Sequence, residues 1–460
     1  MMQESRQRLI RRLLASLALA IAAYGAWFGY TRITYRPESR VAYWEAKLRE
    51  LNPERPGMVP FDQVRPMLLR AEQWAVDCPD AANHKTTLEF IGRGNWDPTS
   101  NPEVACARSL LTSEPFASEF AALREAIQSA WVVPPCLSDS GETDTWTGRW
   151  AARDILIAYS RFAREELHDS QAQLAAWRDA LKFARIYADS RTYFGCGFAM
   201  SCRSRVAVEI ARSVSEIPGD ERIPFINELM VPTSELSLRP SQRIAGHVIA
   251  ERCEFDRIFV KDGGWLDVAF AHERYVNWHS KRSRLWNLTA PIFMSREETE
   301  SRFVRELAKL DQCPSLVALG NAFPYERSQD YEASLLLLRV MHYAWFDNFA
   351  DLIRLQYISD TLCEGAACMI ALHNYRIDHG AYPATLELLV PAYMPRLPID
   401  FGDGNSLRYH PIEGDYLLYS VGSDGVDDGG TPYDVDSKGE GEWRSTGTDV
   451  VINVGRRPYR

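Results

Sequence analysis

Lysine is scarce in this 460-residue chain, with seven residues against 45 arginines, a bias that carries no mechanical information. An excess of basic charge is also missing. The 52 basic residues face 62 acidic ones, and this balance argues against nucleic-acid binding driven by bulk charge. Cysteine is thin: nine in a chain this long cannot substitute a disulfide framework for a hydrophobic core, and the odd count leaves at least one unpaired within the chain. Cys196 with Cys202, and Cys363 with Cys368, could be bridged or reduced, but neither pair has the C-x-x-C spacing of a structural zinc site. Their bland role is that of small buried hydrophobes. No H-E-x-x-H, G-x-S-x-G, Walker-type loop or dinucleotide fingerprint occurs, so no motif names a reaction and the chain reads as a non-enzyme.

What is present begins with "RLIRRLLASLALAIAAYGAWFGYTR". Arg8, Arg11 and Arg12 precede a charge-free run over residues 13–30. At helical rise such a run spans ~27 Å, enough to cross a hydrocarbon core with little tilt. Trp27, Phe28 and Tyr30 gather at its far end, where amphipathic rings favour the membrane interface. The positive-inside rule then keeps the N-terminus cytoplasmic, giving a single-pass inner-membrane protein with the bulk of its chain extracytoplasmic. Small residues from Ala20 to Ala23 leave open a cleavable signal peptide, which exports the same bulk.

From about residue 38 to 345 the dominant periodicity is helical. In "DSQAQLAAWRDALKFARIYADS", Asp169 or Ser170 can cap the start, and Leu174, Trp177, Leu181 and Ala184 recur at helical steps. Ile155, Tyr159 and Phe162 in the preceding segment, and Val206, Ile210 and Val214 in a following one, repeat the spacing. Three amphipathic helices with short polar links predict stacked helical hairpins. The first two resemble a single tetratricopeptide-like unit, but the period does not recur along the chain. A plain all-helical spacer is expected before a peptide-binding platform.

Two histidine pairs in this region have ligand-like spacing: His247 with Glu251, four apart, and His272 with His279, seven apart. A catalytic zinc needs three converging protein ligands and an open position. "HERYV" has no histidine at its fifth place, so these residues read as surface or hydrogen-bonded groups, with a metal-dependent hydrolase as the alternative from another class. "CGFAMSCRS" sets Cys196 near Arg203 and Arg205, which could lower a thiol pKa, but packing is the simpler role.

After a helix through "LQYISDTLCEGAACMIALHNYRIDHG", the chain turns at Gly380 and the period becomes two residues. Leu407 and Tyr409 mark one strand, Leu417, Tyr419 and Val421 a second, and "DVVINV" at 449–454 a third, with Gly414 and Asp415 signalling a hairpin. The second strand runs into "YSVGSDGVDDGG", a turn with three aspartates and four glycines. Between residues 400 and 442 eleven acidic residues meet only Arg408 and Lys438. Carboxylates so crowded must be solvated, paired with bases or bound to a hard cation such as calcium.

The stretch from "ALHNYRIDHGAYPATLELLVPAYMPRLPIDFGDGNSLRY" to "YLLYSVGSDGVDDGG" resembles the C-terminal domain of the major pseudopilin of type II secretion systems. Shared features are the helix end, Tyr382-Pro383, the Leu-rich turn, Leu397-Pro398 with Asp400, a strand containing Tyr409, and "YSVGSDG", in that order. The resemblance implies a helix packed across a small antiparallel sheet, and a calcium ion held by backbone carbonyls and aspartates. It places Val421 as a carbonyl ligand, Asp424 as the first aspartate and Asp449 as the closing one. Asp427 and Asp428 are added on chemistry alone, since calcium takes six to eight oxygens. "DVDSKGEGE" at 434–442 fails as an EF-hand because Lys438 and Ser445 stand at ligand positions. The leader and membrane helix of that family are not matched: "RLIRRLLASLALA" lacks the processing site, and more than 300 residues separate the anchor from the domain.

The chain is therefore expected to be multidomain: an N-terminal basic segment and transmembrane anchor at 1–32, an α-helical domain at 33–345, and a pseudopilin-like α+β domain at 346–460. The expected role is structural or protein-interacting, anchored in the membrane through residues 13–30 and stabilised by calcium, with no nucleic-acid partner. The runner-up is a type II secretion accessory that contacts pseudopilins.

Overall fold

The computed structural model describes residues 38–77, 96–99, 102–134, 148–260, 265–266, 296–323, 336–430 and 449–453, with isolated positions at 16, 18–23 and 25–26. Of the expected anchor, those isolated positions are helical and exposed, and the remainder lies outside the described residues. Among the described residues no helix is long and apolar enough to cross a membrane, so the span read from the sequence gains no support here.

The helices come in order as α1 (Glu38–Leu51), α2 (Phe61–Asp77), α3 (Pro102–Leu111), α4 (Glu114–Gln128), α5 (Arg149–Glu165), α6 (Ser170–Ala188), α7 (Tyr193–Ser213), α8 (Arg222–Leu229), α9 (Thr233–Leu236), α10 (Pro240–Arg243) and α11 (Ala245–Ile258). A two-stranded antiparallel ribbon of β1 (Phe259–Val260) and β2 (Trp265–Leu266) follows, a feature the helical periodicity did not announce. Then come α12 (Arg296–Leu310), α13 (Leu316–Ala322), α14 (Leu336–His379) and three strands, β3 (Arg408–Ile412), β4 (Asp415–Ser420) and β5 (Val450–Val451). The architecture is mostly helical with a small antiparallel sheet, as the alternation of periods implies.

The helical body is built by serial packing of neighbours. α5, α6 and α7 are the three amphipathic helices read from the sequence, packed each on the next, while α2 lies against α5 and α7 against α14. Asp169 caps α6 by accepting from the Ala172 amide at 2.9 Å, and Thr192 caps α7 through the Gly195 amide at 3.2 Å. Each satisfies one of the four amides that a helix start leaves without an intrahelical acceptor. Phe183 and Tyr187 of α6 pack edge-on against Phe198 of α7, Trp177 stacks on Phe225 of α8, and all of these are fully buried.

Charged pairs join further helices of the body. Arg161 on α5 donates two hydrogen bonds of 2.9 and 2.5 Å to Glu209 on α7 while both are buried, and Arg124 on α4 meets the buried Asp179 of α6. A buried pair fixes which helix faces meet more than it adds net stability, because desolvation offsets most of the attraction.

The spine is α14, 44 residues long. Residues 366–372, from Ala366 to Leu372, are all buried, so this stretch is covered on every side. One side packs on α7 and α8, and another meets β4. Body residues such as Trp177 and Phe225, sheet residues Tyr416 and Leu418, and Ile452 just after β5 consequently belong to one apolar cluster. The expected domain boundary at 345/346 falls inside this helix. It stops at Gly380, whose φ of 74° is the left-handed conformation that ends helices.

The sheet has the order β3-β4-β5, all antiparallel, with Ile412 opposite Asp415 across the two-residue turn of Glu413 and Gly414. β3 is an edge strand among the described residues, and Pro411 sits on it opposite Tyr416. The third strand is shorter than the 449–454 read from sequence, and residues beyond 453 lie outside the described set.

Candidate metal centre

β4 delivers the chain into the acidic turn, and the turn is anchored before it begins. Asp400 is fully buried and its carboxylate accepts from Ser420 Oγ at 2.6 Å, the Gly402 amide at 2.7 Å and the Val421 amide at 2.9 Å. Burial pushes its pKa up, against the pull of those three donors. One carboxylate thus ties loop 400–402 to the end of β4. A Cβ on Gly402 would lie 2.6 Å from the Gly422 carbonyl oxygen and 2.8 Å from Asp400 Oδ1, so the two backbones meet closely there.

Arg408 is the base that serves this corner. It bonds Asp403 Oδ2 at 2.5 Å and stands 3.8 Å from Asp400 and 3.9 Å from Asp427. Burial alone would raise the pKa of Asp403, but Arg408 and Asn405 bring it below the usual carboxylate range. Part of the negative charge is therefore paired within the protein.

The five residues expected to hold calcium divide by what they touch. Val421 is buried, with its amide on Asp400. Asp424 turns onto its own loop, Oδ1 accepting from the Val426 amide at 3.1 Å. Asp427 Oδ1 accepts from Tyr419 Oη at 2.8 Å and from the Gly429 amide at 3.0 Å, and its pKa is lowered, chiefly by Tyr419. Asp449, immediately before β5, is only 2 % exposed. Its Oδ2 accepts from the Gly430 amide at 2.7 Å, while Oδ1 is buried without a hydrogen-bond partner.

That orphaned oxygen is the feature of the site that asks for a ligand. The pKa of Asp449 is pushed up by burial and further by the charges of Asp427 and Asp428, against the pull of the Gly430 and Asp428 amides. A buried carboxylate with an open oxygen and two anionic neighbours is the donor chemistry of a hard divalent cation, and the residues fit one in kind. Val421, Asp427, Asp428 and Asp449 would supply the oxygens. Among the described residues, no group of three or more histidine, cysteine, aspartate or glutamate side chains is gathered closely enough to form a metal cluster outright. Tyr419 and the amides of Val426, Gly429 and Gly430 take some of the carboxylate oxygens.

Asp400 and Arg408 are the functional neighbours that a list of turn aspartates leaves out. Asp400 was visible in the Leu-Pro-x-Asp string, and Arg408 as one of two bases in an acidic stretch. Nothing local showed that one would face three aspartates.

The other groups with catalytic potential are placed differently. His247 is buried, its Nε2 lies 3.9 Å from Glu251 Oε1, and burial depresses its pKa to about 3. His272 and His279 lie outside the described residues. Cys196 and Cys202 are free and buried, and burial pushes each thiol up to about 12, the opposite of an activated nucleophile. Cys363 and Cys368 are likewise free and buried. Cys253 and Cys313 are also buried, Cys106 is disulfide-bonded, and Cys78 and Cys136 lie outside the described residues. Comparison of the chain with protein-family models, curated proteins and solved structures finds no match to any of the three.

Proposed function

We propose that this is a membrane-anchored, extracytoplasmic structural or interaction protein whose pseudopilin-like C-terminal unit is ordered by calcium. The observation that carries the cation is the buried Asp449 carboxylate, with one oxygen unpartnered beside Asp427 and Asp428. Calcium fits better than a transition metal because the donors are all oxygen and the loop is irregular, which suits a large, geometrically tolerant ion. The disulfide at Cys106 supports an oxidising compartment, in agreement with export of the chain.

Within this reading the protein's own groups do most of the shaping. Asp400 pins the turn to β4, Arg408 offsets charge on Asp403 and Asp427, and Tyr419 orients Asp427. The bound cation supplies charge neutralisation for oxygens that protein donors leave open.

Calorimetric titration of the purified full chain with CaCl2, after treatment with chelator, tests this directly. A saturable site and a thermal midpoint raised by several degrees in millimolar CaCl2 are expected, and Asp449→Asn should abolish both. Equal melting in chelator and in CaCl2 would sink the assignment.

A further inference from the structure

The acidic turn touches more than its own sheet. α13 rests on the turn itself and on the loop that is tied to it. The Leu316 amide donates to Phe401 O at 2.9 Å and the Val317 amide to Gly402 O at 3.1 Å, so the open amides of the helix start are taken by the very loop that Asp400 ties to β4. From the other side Gly425, inside the turn between Asp424 and Asp427, presses on Val317: a Cβ on that glycine would lie 2.5 Å from Val317 Cγ2. Loop 400–402 is itself fixed to the spine, the Phe401 amide donating to Thr361 Oγ1 at 3.1 Å and the Phe401 ring stacking on Tyr357 at 5.6 Å. Tyr357 then reaches back to the segment before α13, its hydroxyl donating to Cys313 O at 2.7 Å.

These contacts sit at the rim of a second apolar cluster. Phe303 and Leu310 of α12, Leu316 and Leu319 of α13, and Phe349, Ile353 and Tyr357 of α14 pack there, and from the C-terminal unit Phe401 joins them. The α12–α13 arm thus docks on α14 through this cluster, and on the loop and turn beyond it through Phe401, Gly402 and Gly425.

We propose that the turn is a clasp: occupation of its carboxylates by a divalent cation governs how firmly the α12–α13 arm docks on the C-terminal unit. The proposal rests on the calcium reading above, and it extends that reading from local ordering to regulation of the helical body. The physical route is short. The turn's carboxylates repel when no cation offsets them, and the strain falls on the 420–430 backbone, one end of which is Val421 on Asp400 and the middle of which is Gly425 on Val317. Holding that backbone still holds the surface on which α13 sits.

Hydrogen exchange on the full chain, in chelator and in saturating CaCl2, reads the two ends separately. The expected result is slower exchange in both 420–430 and the Leu316 and Val317 amides, by about tenfold at the latter. Slowing confined to 420–430, with 315–323 unchanged, overturns the clasp and leaves the calcium site standing. No calcium-dependent change anywhere, together with no heat on titration, overturns both. A second arm uses reciprocity: if the ion strengthens docking, docking strengthens ion binding by the same factor. Val317→Ala touches no carboxylate and should weaken calcium affinity by about threefold in calorimetry. Unchanged affinity in a folded Val317→Ala protein also overturns the clasp.

Discussion

Glu364 shows how much one side chain can join. It is fully buried on α14 and accepts from Arg396 at 2.8 and 2.6 Å, from the Val231 amide at 2.9 Å and from the Ile399 amide at 3.2 Å. The body, the spine and the approach to the sheet meet on this carboxylate. Glu364→Ala would strand Arg396 and two amides, and a loss of about 3–5 kcal/mol in urea unfolding is expected. Glu364→Gln keeps an acceptor and should cost less. His247 gives a pH signature. Its imidazole is neutral in the fold, with a pKa of about 3, whereas the unfolded chain protonates near 6.5. Stability from this residue is complete above about pH 6.5 and falls as the pH drops towards 3, because only the unfolded state gains the proton. Between pH 7.5 and pH 5 the loss should be about 2 kcal/mol, and His247→Phe should flatten that part of the urea-midpoint profile. Neither role was legible beforehand: in the sequence His247 stands out only by its spacing with Glu251 and reads as a surface or hydrogen-bonded group, Arg396 lies 32 positions from Glu364, and Asp360 finds Arg203 from 157 positions away. Pairing over such separations is set by how helices stack, which local spacing does not encode.

Elements were far more readable, for reasons that differ between them. α5 and α6 announce themselves because Ile155, Phe162, Leu174 and Trp177 recur at the helical period and are buried for that reason. The Asp169 cap follows from the same string, and Asp169→Ala should cost about 1 kcal/mol in thermal or urea unfolding. α7 starts at Tyr193, earlier than its Val206-Ile210 stripe indicates, because glycines and cysteines fill its first turns and blur the pattern. In the sheet, alternation located β3 and β4 closely, and the residues of the acidic turn could be named but not their division of labour. Asp424 bonds its own loop while Asp449 is left with an open oxygen, a difference created by burial and by the neighbouring backbone. Gly402 belongs to the same class of hidden constraint. Gly402→Ala would drive a methyl against Gly422 O, and a destabilisation of about 1–3 kcal/mol is expected by urea titration.

At the scale of the whole molecule, the continuity of α14 decides how the protein unfolds. Its buried stretch from Ala366 to Leu372 serves the body and the sheet at once, so one cooperative transition for the two is expected when fluorescence and circular dichroism are followed together. A fragment of 346–460 would lose α7 and α8 and bare that stretch to water; it should bind a hydrophobic dye strongly and melt well below the full chain. The edge of the sheet has an outcome of its own. In a two-residue hairpin the closing pair is bonded inward, so positions 409 and 411 of β3 turn their backbone outward, and at 411 that position is a proline with nothing to donate. A second polypeptide laid alongside would run out of rungs after Tyr409, and the strand is thereby guarded against zipping up into fibrous aggregates.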